Sequence, residues 1–291
     1  MRPSAARGAA LRASGAAHTV LVAALVGLML ASLPLGAQIL LGAGPGAPDP
    51  WDWAFMAALW ASYAAMAGIA LLGPRAGRGP WAWANPMATA AGWFGVLIAA
   101  SVAIEAVQSS QGIEIVPPEY ASDVERLESA TLAPIVEELA FRVLLVGAPL
   151  AAFCARRAPP ARALRVLLHP HAWLGGRGAR LAVALVLASA ALFGALHTVG
   201  DGSWSAGKAT QAGVAGAILG WAYYRHGILV AILVHWATNY AVLSVLQSVA
   251  AAANVGLGAA SSHPAGAAVE VLLVASGAAT AAALALGHRH S

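Results

Sequence analysis

A single cysteine, Cys154, stands in a chain of 291 residues. One thiol closes no intramolecular disulfide and builds no cysteine-based zinc site. Charge is equally scarce: Asp, Glu, Lys and Arg together make up 10% of the residues, against about 25% in soluble domains. With 60% hydrophobic residues and a mean hydropathy of +0.73, this shortage excludes a soluble domain. Intrinsic disorder is excluded too, because it requires the opposite balance. The 31 glycines follow no Gly-X-Y period, which removes a collagen-like reading. No repeat of 20–50 residues is visible, only an Ala/Gly/Leu bias that suits close packing of helices through small residues. What is left is an all-α, polytopic integral membrane helix bundle.

A spanning helix needs about 20 mostly apolar residues. Eight stretches satisfy this: 18–41, 52–73, 85–107, 130–153, 181–199, 207–224, 228–250 and 266–286. The first follows Arg2, Arg7 and Arg12, but its apolar run is too long for a signal-peptide core, so it reads as a retained membrane helix. The pI near 9.7 would suit nucleic acid, yet the positive charge lies in short segments between apolar runs, so no nucleic-acid partner is expected. With both termini in the cytoplasm, all 16 basic residues except Arg126, Arg142 and Lys208 fall on the inner side. Asp49, Asp52, Glu114, Glu119, Asp123, Glu125, Glu128 and Asp201 then face outward. Trp51, Trp53, Trp81, Trp83 and Trp204 mark span ends, where interfacial tryptophans belong. The segment from Cys154 to Arg180, with Pro159, Pro160 and a Gly175-Gly176 pair, reads first as a solvated loop that fixes orientation. A short basic helix over 161–168, lying on anionic lipid, is the alternative. The lipid bilayer is thus one partner, and the expected location is the plasma membrane. The excess of Arg over Lys, with Ala and Gly, points to a GC-rich bacterial gene.

Ionisable groups inside the hydrocarbon cost about 2.5–3.5 kcal/mol each at a helix centre, so they mark function. The fourth stretch carries Glu137, Glu138 and Arg142. On an α-helix Glu138 and Arg142 share a face, four apart, in the favourable acid-before-base order. Glu137 points about 100° away, without that partner, toward a cavity. Phe193 and His197 share a face of the fifth stretch, and His235 and Asn239 a face of the seventh. A carboxylate, two imidazoles and an amide supply a base for water and donors for an oxyanion. The competing reading is structural: a charge cluster and polar side chains that tie helices together.

Glu-Glu-x-x-x-Arg, Phe-x-x-x-His and His-x-x-x-Asn, in that order on separate membrane helices, resemble the motifs of the CPBP family. These are the CAAX-protease and bacteriocin-processing (Abi) intramembrane endopeptidases, which include the type II CAAX prenyl endopeptidase. The matching region covers about residues 130–240. The resemblance implies proteolysis within the membrane. Carried over, it makes Glu137 and His197 the activators of water, His235 and Asn239 the oxyanion site, and Glu138 with Arg142 the pair that holds the geometry. It also divides the chain into an N-terminal tail (1–17), accessory helices (18–128), a catalytic core (129–250), and a final helix with its tail (251–291). The implied partner is a membrane-embedded peptide or protein substrate.

No cofactor is expected, although Glu137, His197 and His235 would provide enough ligands for a catalytic zinc. Against zinc, no His-Glu-x-x-His helix is present and no carboxylate adjoins either histidine in the sequence. Motifs of rhomboid and aspartyl intramembrane proteases are missing: Val274-Ala-Ser-Gly lacks the first glycine, and Gly200-Asp201 lies in a polar turn. His169 and His171, and His288 and His290, read as bland surface pairs, and Glu105 and Glu270 as solvated residues near span ends. A catalytically silent binding or immunity protein of the same fold is the runner-up function, and a proton-coupled transporter the third. Bacteria generally lack prenylated CAAX proteins, so the family name does not define the substrate. Counting residues puts His235 roughly 13 Å from the inner face and Glu137 roughly 10 Å from the outer face. Those depths differ, so one helix must start late, tilt or be displaced for Glu137, His197, His235 and Asn239 to converge on a water-filled cavity.

Overall fold

The computed structural model describes residues 5–42, 48–72, 85–156, 159–174, 178–199 and 204–287. Trp81, Trp83, Gly175, Gly176, Asp201, His288 and His290 lie outside the described residues, as do Arg2, Arg75, Arg78, Arg157, Arg177 and Arg289. Every regular element among the described residues is helical. In chain order these are α1 (Ala5–Gly42), α2 (Pro50–Leu72), α3 (Pro86–Ser110), α4 (Asp123–Ala155), the short α5 (Pro160–Leu168) and α6 (Pro170–Leu174), and α7 (Ala179–Leu196). There follow α8 (Gly207–His226), α9 (Ile228–Ala253), the single turn α10 (Leu257–Ala260) and α11 (Pro264–Gly287).

Seven of these helices are long and apolar enough to cross a membrane. The eighth expected span is present as α8, whose 20 residues reach about 30 Å, but Lys208, Thr210 and Gln211 make it more polar than the rest. The reason is position. α8 packs on α7, α3 and α9 and buries Gly216, Leu219, Gly220 and Tyr223, so protein rather than lipid surrounds much of it. Small residues permit that closeness. A Cβ on Gly194 of α7 would come within 3.0 Å of Gly213 Cα on α8, and one on Gly95 of α3 within 2.9 Å of Gly277 N on α11.

Local sequence explains where the helices begin. Asn85 Oδ1 accepts from Met87 N at 2.8 Å with Pro86 in the first helical position of α3. Ser122 Oγ accepts from Glu125 N, while Glu125 Oε2 accepts from Ala121 N, a variant of the capping box that starts α4 seven residues before the expected boundary. Between α8 and α9 the chain reverses at Gly227, whose φ of +89° suits glycine alone. Trp236 of α9 stacks on Tyr63 and Tyr240 at 5.0 and 5.4 Å. The Tyr63 hydroxyl donates to Thr131 O and the Tyr240 hydroxyl to Leu33 O, tying α1, α2 and α4 to this core.

The two ends of the bundle differ in charge. At one, Ser205 N donates to Val116 O, Ser205 Oγ to Glu114 O, and Gln108 Nε2 to Gly207 O, so the α3–α4 connection is pinned beside the α7–α8 connection. At the other lie Arg162, Arg165, Arg180 and Arg225. Here Pro160–Leu168 and Pro170–Leu174, within the segment read first as a solvated loop, form α5 and α6, and α5 is the short basic helix of the alternative reading. Ala163 and Val166 are buried against the bundle, Tyr223 donates to Leu167 O, and Arg162 to Trp173 O. Enough apolar side chains recur on one face for the segment to fold back on its neighbours rather than remain in water.

Candidate active site

The carboxylate doublet stands where α4 changes geometry. Asp123–Glu137 is α-helical, Glu138–Gly147 is π-helical, and Ala148–Ala155 returns to α. α9 does the same over Ala237–Ala241, the stretch that holds Asn239. Widened turns of this kind are rare and concentrate at functional sites. The sequence reading assumed a regular α-helix at both places, because hydrophobic periodicity carries no signature of an i→i+5 turn over so few residues. The expected pair nevertheless forms: Arg142 Nε lies 3.1 Å from Glu138 Oε2, with neither side chain exposed.

Glu138 has a second partner, 97 residues away in sequence. His235 Nδ1–H donates to Glu138 Oε1 at 2.9 Å, and His235 Nε2 lies 3.6 Å from Glu137 Oε2. This corrects one expectation: a carboxylate does adjoin a motif histidine. A carboxylate that accepts from one imidazole nitrogen fixes the tautomer and turns the other nitrogen toward its task. Glu137 Oε2 is buried and makes no hydrogen bond. Around the doublet, Phe193 acts as a plate. Its buried ring meets Phe141 at 4.9 Å, His197 at 4.5 Å and His235 at 6.0 Å, and the Arg142 guanidinium sits 4.7 Å above it. The terminal nitrogens of Arg142 make no hydrogen bond, so the ring faces and the Glu138 carboxylate are what stabilise this charge.

His197 follows the last residue of α7 and donates from Nδ1 to Phe193 O at 2.7 Å. A carbonyl can only accept, so Nε2 is left as the basic nitrogen. His197 and Glu137 line one cavity of about 650 Å³, together with Phe141, Trp204, Pro118, Glu119, Tyr120 and Glu125. His235 and Asn239 do not line it, and Asn239 forms no side-chain hydrogen bond among the described residues. α4 starts about 10 Å earlier than expected, so Glu137 lies fourteen residues, or roughly 21 Å, from its N-terminal end.

Residues 127–241 match the family model described as type II CAAX prenyl endopeptidase, Rce1-like. The match covers 115 of the 291 residues. No match was found among curated proteins or among solved structures. The matched stretch contains all six expected site residues, from Glu137 to Asn239, and the cavity residues Ser129, Phe141, Leu196, Val199 and Trp204. The cavity residues Pro118, Glu119, Tyr120 and Glu125 precede it.

One feature of the site escapes the sequence reading. Lys208 lies 4.0 Å over the ring of Trp204 and donates to Gln211 Oε1, placing the only lysine beside the cavity wall. The excess of arginine everywhere else was the available signal. Among the described residues no three His, Cys, Asp or Glu side chains come together in a way that would hold a metal ion. His235 Nδ1 is engaged by Glu138, and Glu137, His197 and His235 do not form a ligand set.

Proposed function

We propose that this chain is an intramembrane endopeptidase that hydrolyses peptide bonds of hydrophobic, membrane-associated peptides or proteins with water activated by Glu137 and His197. The supporting observation is that these two side chains, far apart in sequence, line one cavity while Glu137 is backed by His235, Glu138 and Arg142. Glu137 takes a proton from water, the hydroxide adds to the scissile carbonyl carbon, and a tetrahedral oxyanion forms. Collapse of that intermediate breaks the C–N bond, and the proton held by Glu137 passes to the leaving nitrogen, giving one carboxylic acid and one amine, between which the remaining proton then transfers. His197 Nε2 orients the water by accepting its second hydrogen.

Glu138 and Arg142 position His235 rather than touch substrate. His235 Nδ1–H is engaged by Glu138, so Nε2 donates to an oxyanion only when it too carries a proton. Asn239, free of side-chain partners, is the natural second donor once a carbonyl lies beside Glu137. The test is direct. Purified protein in liposomes is incubated with a quenched-fluorescent library of hydrophobic peptides, part of it carrying farnesyl-cysteine near the C-terminus, and new termini are read by mass spectrometry. Cleavage at defined bonds is expected. Binding of library members without any new termini would overturn the proposal and favour a silent binding protein.

A further inference from the structure

We infer that Arg162, Arg165 and Arg225 form a binding site for the phosphate of an anionic phospholipid, whose acyl chains lie along Leu164 and Leu168. The site is separate from Glu137 and His197 and does not depend on the hydrolytic reading. The geometry that carries it is the convergence of three guanidinium groups on the short helix α6. Arg162 Nη2 donates to Trp173 O at 2.9 Å, and the Arg165 guanidinium sits 4.9 Å from the centre of the Trp173 ring. From α8, Arg225 Nη1 donates to His171 Nε2 at 3.1 Å. Charges from α5 and α8 are thus gathered around one turn of helix. All three arginines are exposed, and no carboxylate answers them. Between Glu138 and Glu270 the sequence contains one acid, Asp201, in the connection that precedes α8, whereas Arg225 belongs to the last turn of that helix. Like charges held together repel, and a phosphate relieves the repulsion while accepting paired hydrogen bonds from the guanidinium forks.

The outward face of α5 identifies the phosphate as that of a lipid. Ala163 and Val166 are buried against the bundle, whereas Leu164 and Leu168, four residues apart on one face, are 64% and 62% exposed. A helix on the surface of a soluble domain turns polar residues outward, not a pair of leucines. Leucines flanked by arginines suit the boundary between acyl chains and headgroups. The place in the chain agrees. α5 and α6 connect α4 to α7, two helices long and apolar enough to span the membrane. The arginines therefore gather where helices leave the hydrocarbon, at the level of the headgroups. A soluble phosphate would engage the arginines alone, and a neutral lipid the leucines alone; an anionic phospholipid engages both.

Native mass spectrometry of the full-length protein in neutral detergent measures this without reference to catalysis. Phosphatidylglycerol and phosphatidylcholine with the same acyl chains are added in turn, and glycerol phosphate serves as the soluble anion. Each arginine near an anionic headgroup contributes roughly fivefold in affinity, so phosphatidylglycerol should bind at least about tenfold more tightly than phosphatidylcholine. Arg162→Gln, Arg165→Gln and Arg225→Gln together should bring the two lipids to within about threefold of each other, and each substitution alone should narrow the gap. Arg126→Gln, at an arginine paired with Asp123, should leave the preference unchanged. Leu164→Ser with Leu168→Ser should weaken both lipids alike. Equal binding of the two lipids by the parent, or a preference that survives the triple substitution, would overturn the inference. Glycerol phosphate binding as tightly as phosphatidylglycerol would overturn it too, since the leucines would then contribute nothing. The single variants, at exposed positions, keep the test intact if the triple variant fails to fold.

Discussion

Replacing Glu138 by glutamine removes one charge from a fully buried ion pair. Glutamine retains the shape and still accepts from His235 Nδ1–H through its amide oxygen, so the hydrogen bond to the histidine survives. Arg142 does not fare as well. Its guanidinium is fully buried, its terminal nitrogens lack hydrogen-bond partners, and only the faces of Phe193 and Phe141 remain to it. Breaking a buried pair from one side costs about 3–5 kcal/mol. Replacing both members by groups without charge is often neutral or better. We therefore predict that Glu138→Gln lowers stability by about 3–5 kcal/mol, and that Glu138→Gln combined with Arg142→Met recovers most of that loss. Reversible unfolding in mixed micelles, followed by tryptophan fluorescence, measures both. A loss below about 1 kcal/mol for Glu138→Gln, or a double variant at the sum of the two singles, would refute the view of this pair as one buried unit.

Other positions give separate tests. Phe193→Ala should cost about 3–5 kcal/mol by the same assay, because the buried ring supports His197, His235 and Arg142 together; a loss under 1 kcal/mol would contradict its central placement. Ser205→Ala should release the α3–α4 connection by removing the hydroxyl that links Val116 N and Glu114 O, a loss of about 1–2 kcal/mol. Limited proteolysis of spheroplasts should then cut between residues 111 and 122 faster than in the parent. Cleavage by the purified protein should persist in a strong chelator, since no metal-ligand set is assembled among the described residues; loss with chelator and recovery with zinc would contradict the glutamate–histidine mechanism.

The helical membrane fold was legible because hydropathy and arginine placement act over 20-residue windows and survive errors at the ends. The polar α8 shows the limit of that signal: a helix enclosed by its neighbours need not look like a membrane span. Among site residues, the Glu138–Arg142 pair was readable because both partners lie on one helix. The His235–Glu138 bond was not, since spacing within one helix says nothing of contacts between α4 and α9. The π-helical turns under Glu138 and Asn239 were hidden for a related reason: they are set by tertiary packing, not by local composition. Grouping Glu137, His197, His235 and Asn239 rests on the motifs; Glu137 and His197 line the cavity, and His235 approaches Glu137 at 3.6 Å.

The account depends most on Glu137 as the base that activates water. Cleavage of the same quenched peptide library by parent protein and by Glu137→Gln, with peptide binding measured in parallel, isolates that role. The substitution changes only a half-buried carboxylate that makes one 3.6 Å approach to His235, so folding and binding should be preserved. A general base contributes roughly 10²–10⁴ in rate, and we predict a loss of that size in cleavage with binding within about threefold of the parent. Cleavage by Glu137→Gln at the parent rate would contradict the mechanism.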